Sequence, residues 1–590
     1  MFQTNLREID AGLDVEKVLD YLVEFGADTW LLSVGGILSN YPTDLDFQTR
    51  NPYLAERPSG DLVGDAVKAA ARRGIRVMGR MDFSKIDRRR AEAHPDWCFV
   101  APTGEHQVYN GLTSVCPSGD YYQVKLFEVL DEVLDRYPLD GFFCNWMSFN
   151  EVDYSRRYWG VCHCVACAEA YGKPLPESRD GDWQRFSKGV LADLTQRIRD
   201  HLAARRPEAP LVLGDQADIV FHEANNAVGR PLWHHLTSES VSAAKTYRPS
   251  VPVLTNSVGF VDMPYRMASE DPNHFAQYLL QAIARGANPS TYIMGTPSDN
   301  PYACLQVAGE LTRFHRDHAE VYTDLVPAAE TLLVRDDSAE FQGLYLSLLQ
   351  RHVPFDVLPR DRLLEADLGR YRVVVLPDLG AVDLGGYGGG IVATGGTEVA
   401  GVRRIASYDD EESTRSLHLE GGIPVFGAFH VVETSGEVGL RALSRAPYGP
   451  PEKCHGHVQL EHPGVVRQGN VVLLPWTVGR SYREVGLSVH RDLFVDEVVR
   501  AGGPQVETDL PEQVEIVLGR SAAGFVVHLL NRSGDTDQRF APPVRIGPAE
   551  LRLPDAVHEV QALRSGARLP IADGRVRLPE LDLFELLICV

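Results

Sequence analysis

The feature that most constrains this chain is an alternation of short apolar runs with amphipathic ones over its first 320 or so residues. "DTWLLSVGG", "IRVMGRMDFS", "LDGFFCNW", "APLVLGD", "ADIVFHEANN", "VPVLTNSVGF" and "STYIMGTP" read as strands. Between them lie helix-like runs. These are "GDLVGDAVKAAARRG", with Gly74 as its expected C-cap, "YYQVKLFEVLDEVLDRYP", "DWQRFSKGVLADLTQRIRDHLAARRP", "LWHHLTSESVSAAKTY" and "NHFAQYLLQAIARGA". Apolar strands alternating with helices imply parallel pairing through βα units. About eight strands in this length predict a (β/α)₈ barrel over residues 1–325. An open doubly wound sheet is the alternative, but no glycine-rich phosphate loop follows the first strand run.

A chain of 590 residues is longer than one hydrophobic core supports. A break falls near "YTDLVPAAE". After it, "ETLLVRDD", "YRVVVLPDLGAV" and "GGIVATGGTEVAG" predict a second α/β layer, flavodoxin-like, over residues 326–503. From about Gly503 the helical period disappears, and "VEIVLGRSAAGFVVHLLNRSG" and "GRVRLPELDLFELLICV" predict a small antiparallel β-domain, sandwich-like, over residues 504–590.

The formal net charge of −23 disfavours nucleic acid and anionic membrane surfaces, which are bound by neutralising phosphates with Lys and Arg. No apolar run reaches the length of a membrane span, and the N-terminus lacks a basic start followed by an apolar stretch. The expectation is a cytoplasmic protein.

In a barrel, catalytic groups project from the C-terminal ends of strands. Carboxylates following apolar runs are Asp82, Glu151, Asp215, Glu223 and Asp262. Several such acids, with no comparable Ser-His or Cys-His arrangement, suggest acid/base chemistry of the kind that cleaves glycosidic bonds between paired carboxylates. Rings and amides suited to sugars surround them: Asn145, Trp146, Trp159, Asn225, Asn226, Asn256 and Tyr265, with Asp153, His222 and Arg266 beside them. The bland reading of any one strand-end acid is a helix cap or loop anchor. Asp140, at a strand start, reads as structural, and His234 and His235 read as surface or packing groups.

Nine cysteines serve the whole chain, yet Cys162, Cys164 and Cys167 fall within six positions in "WGVCHCVACAEAYG". A disulfide, a reactive thiol and a metal site are the alternatives, and a reducing compartment disfavours the first. Upstream lies Cys116 in "SVCPSGDYYQ", and four thiolates of this kind make a tetrahedral zinc site. The arrangement resembles glycoside hydrolase family 42 β-galactosidases, in which four such cysteines hold a structural zinc. In that family an Asn-Glu pair ends strand four, its Glu being the acid/base; Asn150-Glu151 stands in that place here. The resemblance also implies a flavodoxin-like trimerisation domain and a small β-domain behind the barrel, hence a homo-oligomer, trimer or dimer. The barrel itself is similar to hypothetical glycosyl hydrolases described as amylase-like or fucosidase-like, through "RMDFSK", "AEAHPDW", "DGFFCNW", "HEANN" and "QAIARGANPSTYIMG".

Neither catalytic pair transfers whole. Where family 42 has a nucleophilic Glu after strand seven, this chain has Asn256; where fucosidases have an Asp after strand four, it has Asn145. The reading is therefore a glycoside hydrolase of small oligosaccharides or glycosides, with Glu223 and Glu151 as the pair and Asp215 or Asp153 in support. The predicted sugar contacts are Asp82, Asn145, Trp146, Asp153, Trp159, His222, Asn256, Asp262, Tyr265 and Arg266. Structural zinc on Cys116, Cys162, Cys164 and Cys167 is expected, and no organic cofactor. The alternatives are a non-catalytic carbohydrate-binding relative and, more remotely, a metal-dependent lyase or isomerase. Carboxylate separation would decide stereochemistry, about 5–5.5 Å for retention and about 6.5–9.5 Å for inversion.

Overall fold

The computed structural model describes residues 1–212, 217–446, 448–554 and 556–590. The chain forms two compact units, one of residues 1–231, 251–279 and 287–317, the other of residues 232–250, 280–286 and 318–590. Among the described residues no helix is long and apolar enough to cross a membrane.

The first unit is a parallel barrel of eight strands: β1 (Phe2–Asn5), β2 (Thr29–Gly36), β3 (Arg76–Asp82), β4 (Gly141–Asn145), β5 (Leu211–Val212), β6 (Val220–Ala224), β7 (Val253–Val258) and β8 (Asn288–Met294). Their order is β5-β4-β3-β2-β1-β8-β7-β6, and a parallel bridge between Val212 and Ile219 joins the two ends of the row. The open-sheet alternative is thereby set aside, since an open sheet leaves its edge strands apart.

Strand periodicity explains the interior. Residues two apart share a face. Met1, Leu31, Met78, Phe143, Val212 and Leu254 form one buried apolar cluster, with Ile219 and Phe221 packed on it. Stepping two residues along from these positions gives Gln3, Ser33, Arg80, Asn145, Glu223 and Asn256, and a further step gives Asn5 and Asp82. The barrel thus has an apolar floor and a polar upper half, on the side of the strand C-termini. That polar layer is cross-linked: Asn256 Nδ2 donates to Gln3 Oε1 at 2.7 Å, Ser290 Oγ to Asn256 Oδ1 at 2.7 Å, and Asn5 Nδ2 to Tyr292 Oη at 2.7 Å. Seven strands are those expected. The eighth, β1, is the stretch "FQTN", which carries polar residues because one of its faces looks into this layer.

Helices α1 (Val15–Phe25), α2 (Leu62–Ala71), α3 (Leu126–Arg136), α4 (Val165–Tyr171) and α5 (Gly181–Arg205) follow the first strands. Asp14, Asp61 and Asp180 cap α1, α2 and α5, each accepting a backbone N–H of the first turn. Helix α2 ends at Ala71, ahead of the expected stop at Gly74, and the chain reverses through Gly74 at φ 67°. Asp140 accepts from the Val77 backbone N–H at 2.7 Å, tying the start of β4 to β3. Farther along the chain come α6 (Leu236–Tyr247), α7 (Pro272–Ala284) and α8 (Leu305–Asp317). His235, read from the sequence as a helical surface or packing group, precedes α6 and is buried.

In the second unit, β9 (Thr331–Arg335), β10 (Phe355–Pro359), β11 (Val373–Leu376), β12 (Gly390–Thr394) and β13 (Val471–Leu474) run parallel in the order β10-β9-β11-β12-β13. Antiparallel strands extend the sheet beyond β13, while α9 (Ala339–Gln350) connects β9 to β10. Buried valines and leucines on alternate faces of these strands feed two apolar clusters, so the sheet is covered on both sides, as a parallel sheet requires. The last long helix ends at Arg500. Beyond it β14 (Val514–Ser521), β15 (Gly524–Asn531) and β16 (Phe584–Cys589) pair antiparallel around their own core.

Candidate active site and metal centre

The site is built from the C-terminal ends of β3, β4 and β6 and the loops after β3, β4 and β7. Asp82 ends β3 and is buried. Its Oδ1 accepts from the Ser84 N–H at 3.1 Å and the Ser84 hydroxyl at 2.6 Å. Its Oδ2 accepts from Asn145 Nδ2 at 2.7 Å and pairs with Arg80 Nη2 at 3.2 Å. Asn145 is the register partner of Asp82 on the neighbouring strand, which is why the two meet.

Glu223 projects from β6 with Asn225 Nδ2 donating to its Oε1 at 2.8 Å. Burial raises its pKa above the ordinary carboxylate value, against the opposing pull of Asn225 and of the Arg80 charge. The Tyr154 hydroxyl is raised first by burial and then by the charges of both Asp82 and Glu223, so the two carboxylates act on one region. Tyr292, raised to about 12, is likewise pushed up by burial and Glu223 and pulled down by Arg80 and Arg266. His222, the neighbour of Glu223, points to the opposite side of the sheet by strand alternation.

Lys85, three residues beyond β3, is buried with its ammonium 5.2 Å from the ring centres of both Trp146 and Tyr154. Burial lowers its pKa while Asp82 and Asp153 oppose the shift. Trp146 follows β4 in a left-handed backbone conformation, φ 54°, at a cost of about 1–2 kcal/mol. That turn sets its ring 5.1 Å from Tyr154. A cleft of about 330 Å³ opens here, lined by Lys85, Tyr109, Tyr154, Met263 and Arg266 among others.

Other expected residues lie elsewhere or carry other contacts. Glu151 is buried after β4, its Oε1 accepting from Trp183 Nε1 at 2.7 Å and its Oε2 from Arg179 Nε at 2.9 Å. Both oxygens are therefore engaged by α5 and the segment before it. Asp153 accepts from Ser155 and Arg157 N–H groups and from Trp159 Nε1 at 2.9 Å; these bonds outweigh desolvation and hold its carboxyl below the usual range. Trp159 is further covered by the Arg157 guanidinium, 3.9 Å from its ring centre. Asp262 ties three loops together, accepting from Val228 N–H at 2.9 Å, Met263 N–H at 2.7 Å and Arg156 Nη2 at 3.4 Å. Asn256 is spent inside the barrel on Gln3 and Ser290. Tyr265 is exposed, and Arg266 lines the cleft. Asp215 lies outside the described residues. The sequence reading passed over Arg80, Lys85, Tyr154 and Tyr292. Arg80 had one signal, its place two residues before Asp82 on the same strand face.

Cys116, Cys162, Cys164 and Cys167 are all buried, with their sulfurs within 4.8 Å of one another. A tetrahedral zinc with bonds of about 2.3 Å separates its sulfurs by about 3.8 Å, so the set fits that ion. The four thiols are free, Cys116 and Cys167 sulfurs being 3.3 Å apart. Hydrogen bonds from the other three thiols pull Cys164 down, while burial pushes Cys116 up. Such a cluster shares negative charge that a cation would neutralise. His163 is turned away, its Nε2 meeting the Pro176 carbonyl at 3.0 Å. Around the sulfurs pack Phe99, Phe149, Val161 and Trp183, with Trp159 at the edge. The cluster and Glu151 therefore share Trp183 as a wall.

The class that this fold and this acid-bearing mouth define is that of (β/α)₈ barrels built like glycoside hydrolases. Residues 14–146 match the model of a family described as hypothetical glycosyl hydrolase 6. The chain is similar to the α-L-fucosidase isoenzyme 2 from Paenibacillus thiaminolyticus, at a TM-score of 0.79 and 18% identity over 100% of this chain and 99% of that one. It is similar to the β-galactosidase from Bacillus circulans sp. alkalophilus, at a TM-score of 0.70 and 14% identity over 100% and 99%. A catalytic mutant of the GH42 β-galactosidase Gan42B from G. stearothermophilus gives a TM-score of 0.67 and 14% identity over 100% and 98%. The resemblance drawn from sequence to family 42 and to fucosidase-like hydrolases thus holds for the architecture, end to end. No curated protein matches the chain in sequence.

Proposed function

We infer that this chain is a glycoside hydrolase in which Glu223 is the general acid and Asp82 the second carboxylate. The observation that carries the reading is the pairing of environments. Burial raises the pKa of Glu223, whereas Asp82 accepts hydrogen bonds from Ser84 and Asn145 and pairs with Arg80. Two carboxyl groups in contrasting surroundings at one barrel mouth, one desolvated and one held by donors, are what glycosidic cleavage needs. Glu223 delivers a proton to the departing oxygen. Asp82 faces the developing positive charge on the sugar, as nucleophile or as base for a water. Glu151, the partner expected from the sequence, is held by Trp183 of α5 and by Arg179, and we assign it to positioning the loop after β4 rather than to the bond.

Several further assignments belong to this reading. Galactosides and fucosides are the first substrates to try, since the structurally similar enzymes are named for them. Zinc on the four cysteines, with no coordination position left for water, would be a structural staple between the segment at Cys116 and the loop after β4. The strand order of the second unit, 2-1-3-4-5 along the chain, supports a flavodoxin-like domain over residues 326–503, followed by a β-domain over 504–590, and with it a trimer or dimer. A cytoplasmic location completes the reading.

A second reading, a carbohydrate-binding relative without turnover, draws on Asn256: β7 carries no acid there, and the amide is locked by Gln3 and Ser290. A panel of nitrophenyl glycosides, with product stereochemistry followed by NMR, separates the two. Turnover that falls at least about 100-fold in Glu223→Gln supports the hydrolase. Full activity in that variant overturns the assignment of Glu223, and sugar binding without turnover across the panel favours the second reading.

A further inference from the structure

The cleft at Lys85 and Tyr154 has a charge pattern that a neutral sugar does not explain. Its lining contains Lys85 and Arg266 and no carboxylate. This occurs in a chain with 81 acidic and 58 basic side chains. Lys85 is 5% exposed, and among the described residues no carboxylate lies within ion-pair distance of its ammonium; its near neighbours are the faces of Trp146 and Tyr154. Among the described residues Arg266 has a buried Nε without a hydrogen-bond partner, and its Nη2 reaches only the Met263 sulfur at 3.6 Å. Among the described residues Arg80, on the strand leading into the mouth, also has a buried Nε without a hydrogen-bond partner, although its Nη2 pairs with Asp82.

Buried cations with unused donors are costly unless an anion meets them. Asp82 and Asp153 favour the charged form of Lys85 against burial, while the rings nearest its ammonium accept no N–H bond in the way an oxyanion does. The shift of the Lys85 amine toward its neutral form by burial agrees with a charge awaiting its partner. Arginine adds a planar fork that matches carboxylate and sulfate oxygens. The cleft, about 330 Å³, is within the size range of small-molecule sites, and Tyr109 and Tyr154 offer it rings for a sugar face.

We propose that the sugar this site takes carries an anionic substituent, a carboxylate or a sulfate ester, held by Lys85 and Arg266 in the cleft beside Asp82. This deepens the hydrolase reading and rests on it for the statement that the bound molecule is a glycoside. The class of substrate is then an acidic glycoside, such as a uronoside or a sulfated sugar.

Calorimetric binding to the full chain at low ionic strength tests the proposal. The probes are D-galacturonate against D-galactose, D-glucuronate against D-glucose, and galactose 6-sulfate. At least one acidic sugar is expected to bind ten-fold or more tightly than its neutral counterpart, and added salt should erode the preference. Preference for uronates identifies a carboxylate, and preference for the sulfate identifies a sulfate ester. Lys85→Met should bring the ratio below three, and Lys85→Arg should keep most of it, with thermal unfolding showing both variants folded. A wild-type ratio below three, no binding of any acidic sugar, or an unchanged ratio in folded Lys85→Met overturns the proposal. Hydrolysis assays run in parallel keep the two readings apart. Turnover of neutral glycosides with acidic ones neither bound nor cut removes the anion site and leaves the hydrolase. Selective binding of acidic sugars with no glycoside cut removes the hydrolase and leaves the anion site.

Discussion

Asn145 lies directly beside Asp82 across two neighbouring strand ends and donates its amide to Asp82 Oδ2 at 2.7 Å. The strand-four position that carries a nucleophilic Asp in the fucosidase pattern is occupied here by an amide that instead orients an acid one strand away. A carboxylate held by hydroxyl and amide donors and an arginine is fixed in place, which suits a group that must face positive charge.

The first prediction concerns that pair. Asp82→Asn should lower kcat by at least about 1,000-fold, since it removes the charge itself. Asn145→Ala removes one donor and should cost about 10- to 100-fold, with KM moving less than kcat. Steady-state kinetics on the best glycoside of the panel, with circular dichroism showing folded variants, checks both. An Asp82→Asn enzyme within ten-fold of wild type removes Asp82 from the chemistry.

How much of this was readable without the structure depends on how far apart the partners lie in the chain. Strands such as "DTWLLSVGG" announce themselves because both faces are buried in apolar surroundings. "FQTN" does not, because Gln3 looks into the polar barrel interior, and that environment exists only once the barrel has closed. The cysteine set was visible despite Cys116 standing well upstream, because thiols are rare here and their spacing is tight. Asp82, Glu151 and Glu223 all read as strand-end acids. What separates Glu151 from the others is Trp183 and Arg179, which reach it from about thirty residues away. Lys85 gave no local signal, because its cage is made by Trp146 and Tyr154 from the next loop.

Glu151 offers the second prediction. Glu151→Ala leaves the Trp183 indole N–H buried without an acceptor and frees Arg179. Arg179 is more than half exposed, so its part of the loss is discounted for solvent screening. A destabilisation of about 1–3 kcal/mol is expected. Glu151→Gln keeps the acceptor for Trp183 and should recover about half of it. Denaturant unfolding reads this directly. Activity of Glu151→Gln should stay within about ten-fold of wild type. A loss comparable to that of Asp82→Asn, in a fully stable variant, would return Glu151 to the catalytic pair.

The third prediction concerns the metal. Purified protein should contain about one zinc per chain, and Cys164→Ser should lose it. Because the cluster shares the wall formed by Trp183 with Glu151, loss of the metal should loosen that loop and lower Tm by about 10 °C, in the variant and equally in wild type treated with chelator. Elemental analysis and thermal unfolding with and without chelator check the two halves. Metal-free protein with four titratable thiols and an unchanged Tm defeats the assignment.

The fourth prediction is a pH dependence located in the second unit. Glu340, at the start of α9, is buried, and desolvation lifts its pKa to about 7 from an ordinary value of 4.5, although the Arg480 N–H donates to it at 2.7 Å. Its folded pKa therefore lies above its unfolded one. Between these values the folded state holds a proton that the unfolded state has released. The stabilisation from this group is complete below about pH 4.5 and is lost as pH rises through about 7, at up to about 1.4 kcal/mol per pH unit. Asp356, lifted to about 6 by burial against the pull of Arg370 and Tyr371, adds a slope of the same sign over a lower window. Glu340→Gln keeps a carbonyl oxygen for the Arg480 N–H and has no proton to lose. Its stability should fall less steeply than wild type between about pH 5 and 7, and the difference between the two proteins should grow as pH rises. Denaturant unfolding of the second unit, followed across that range, measures the slope, and parallel curves for wild type and variant would show that Glu340 does not titrate there.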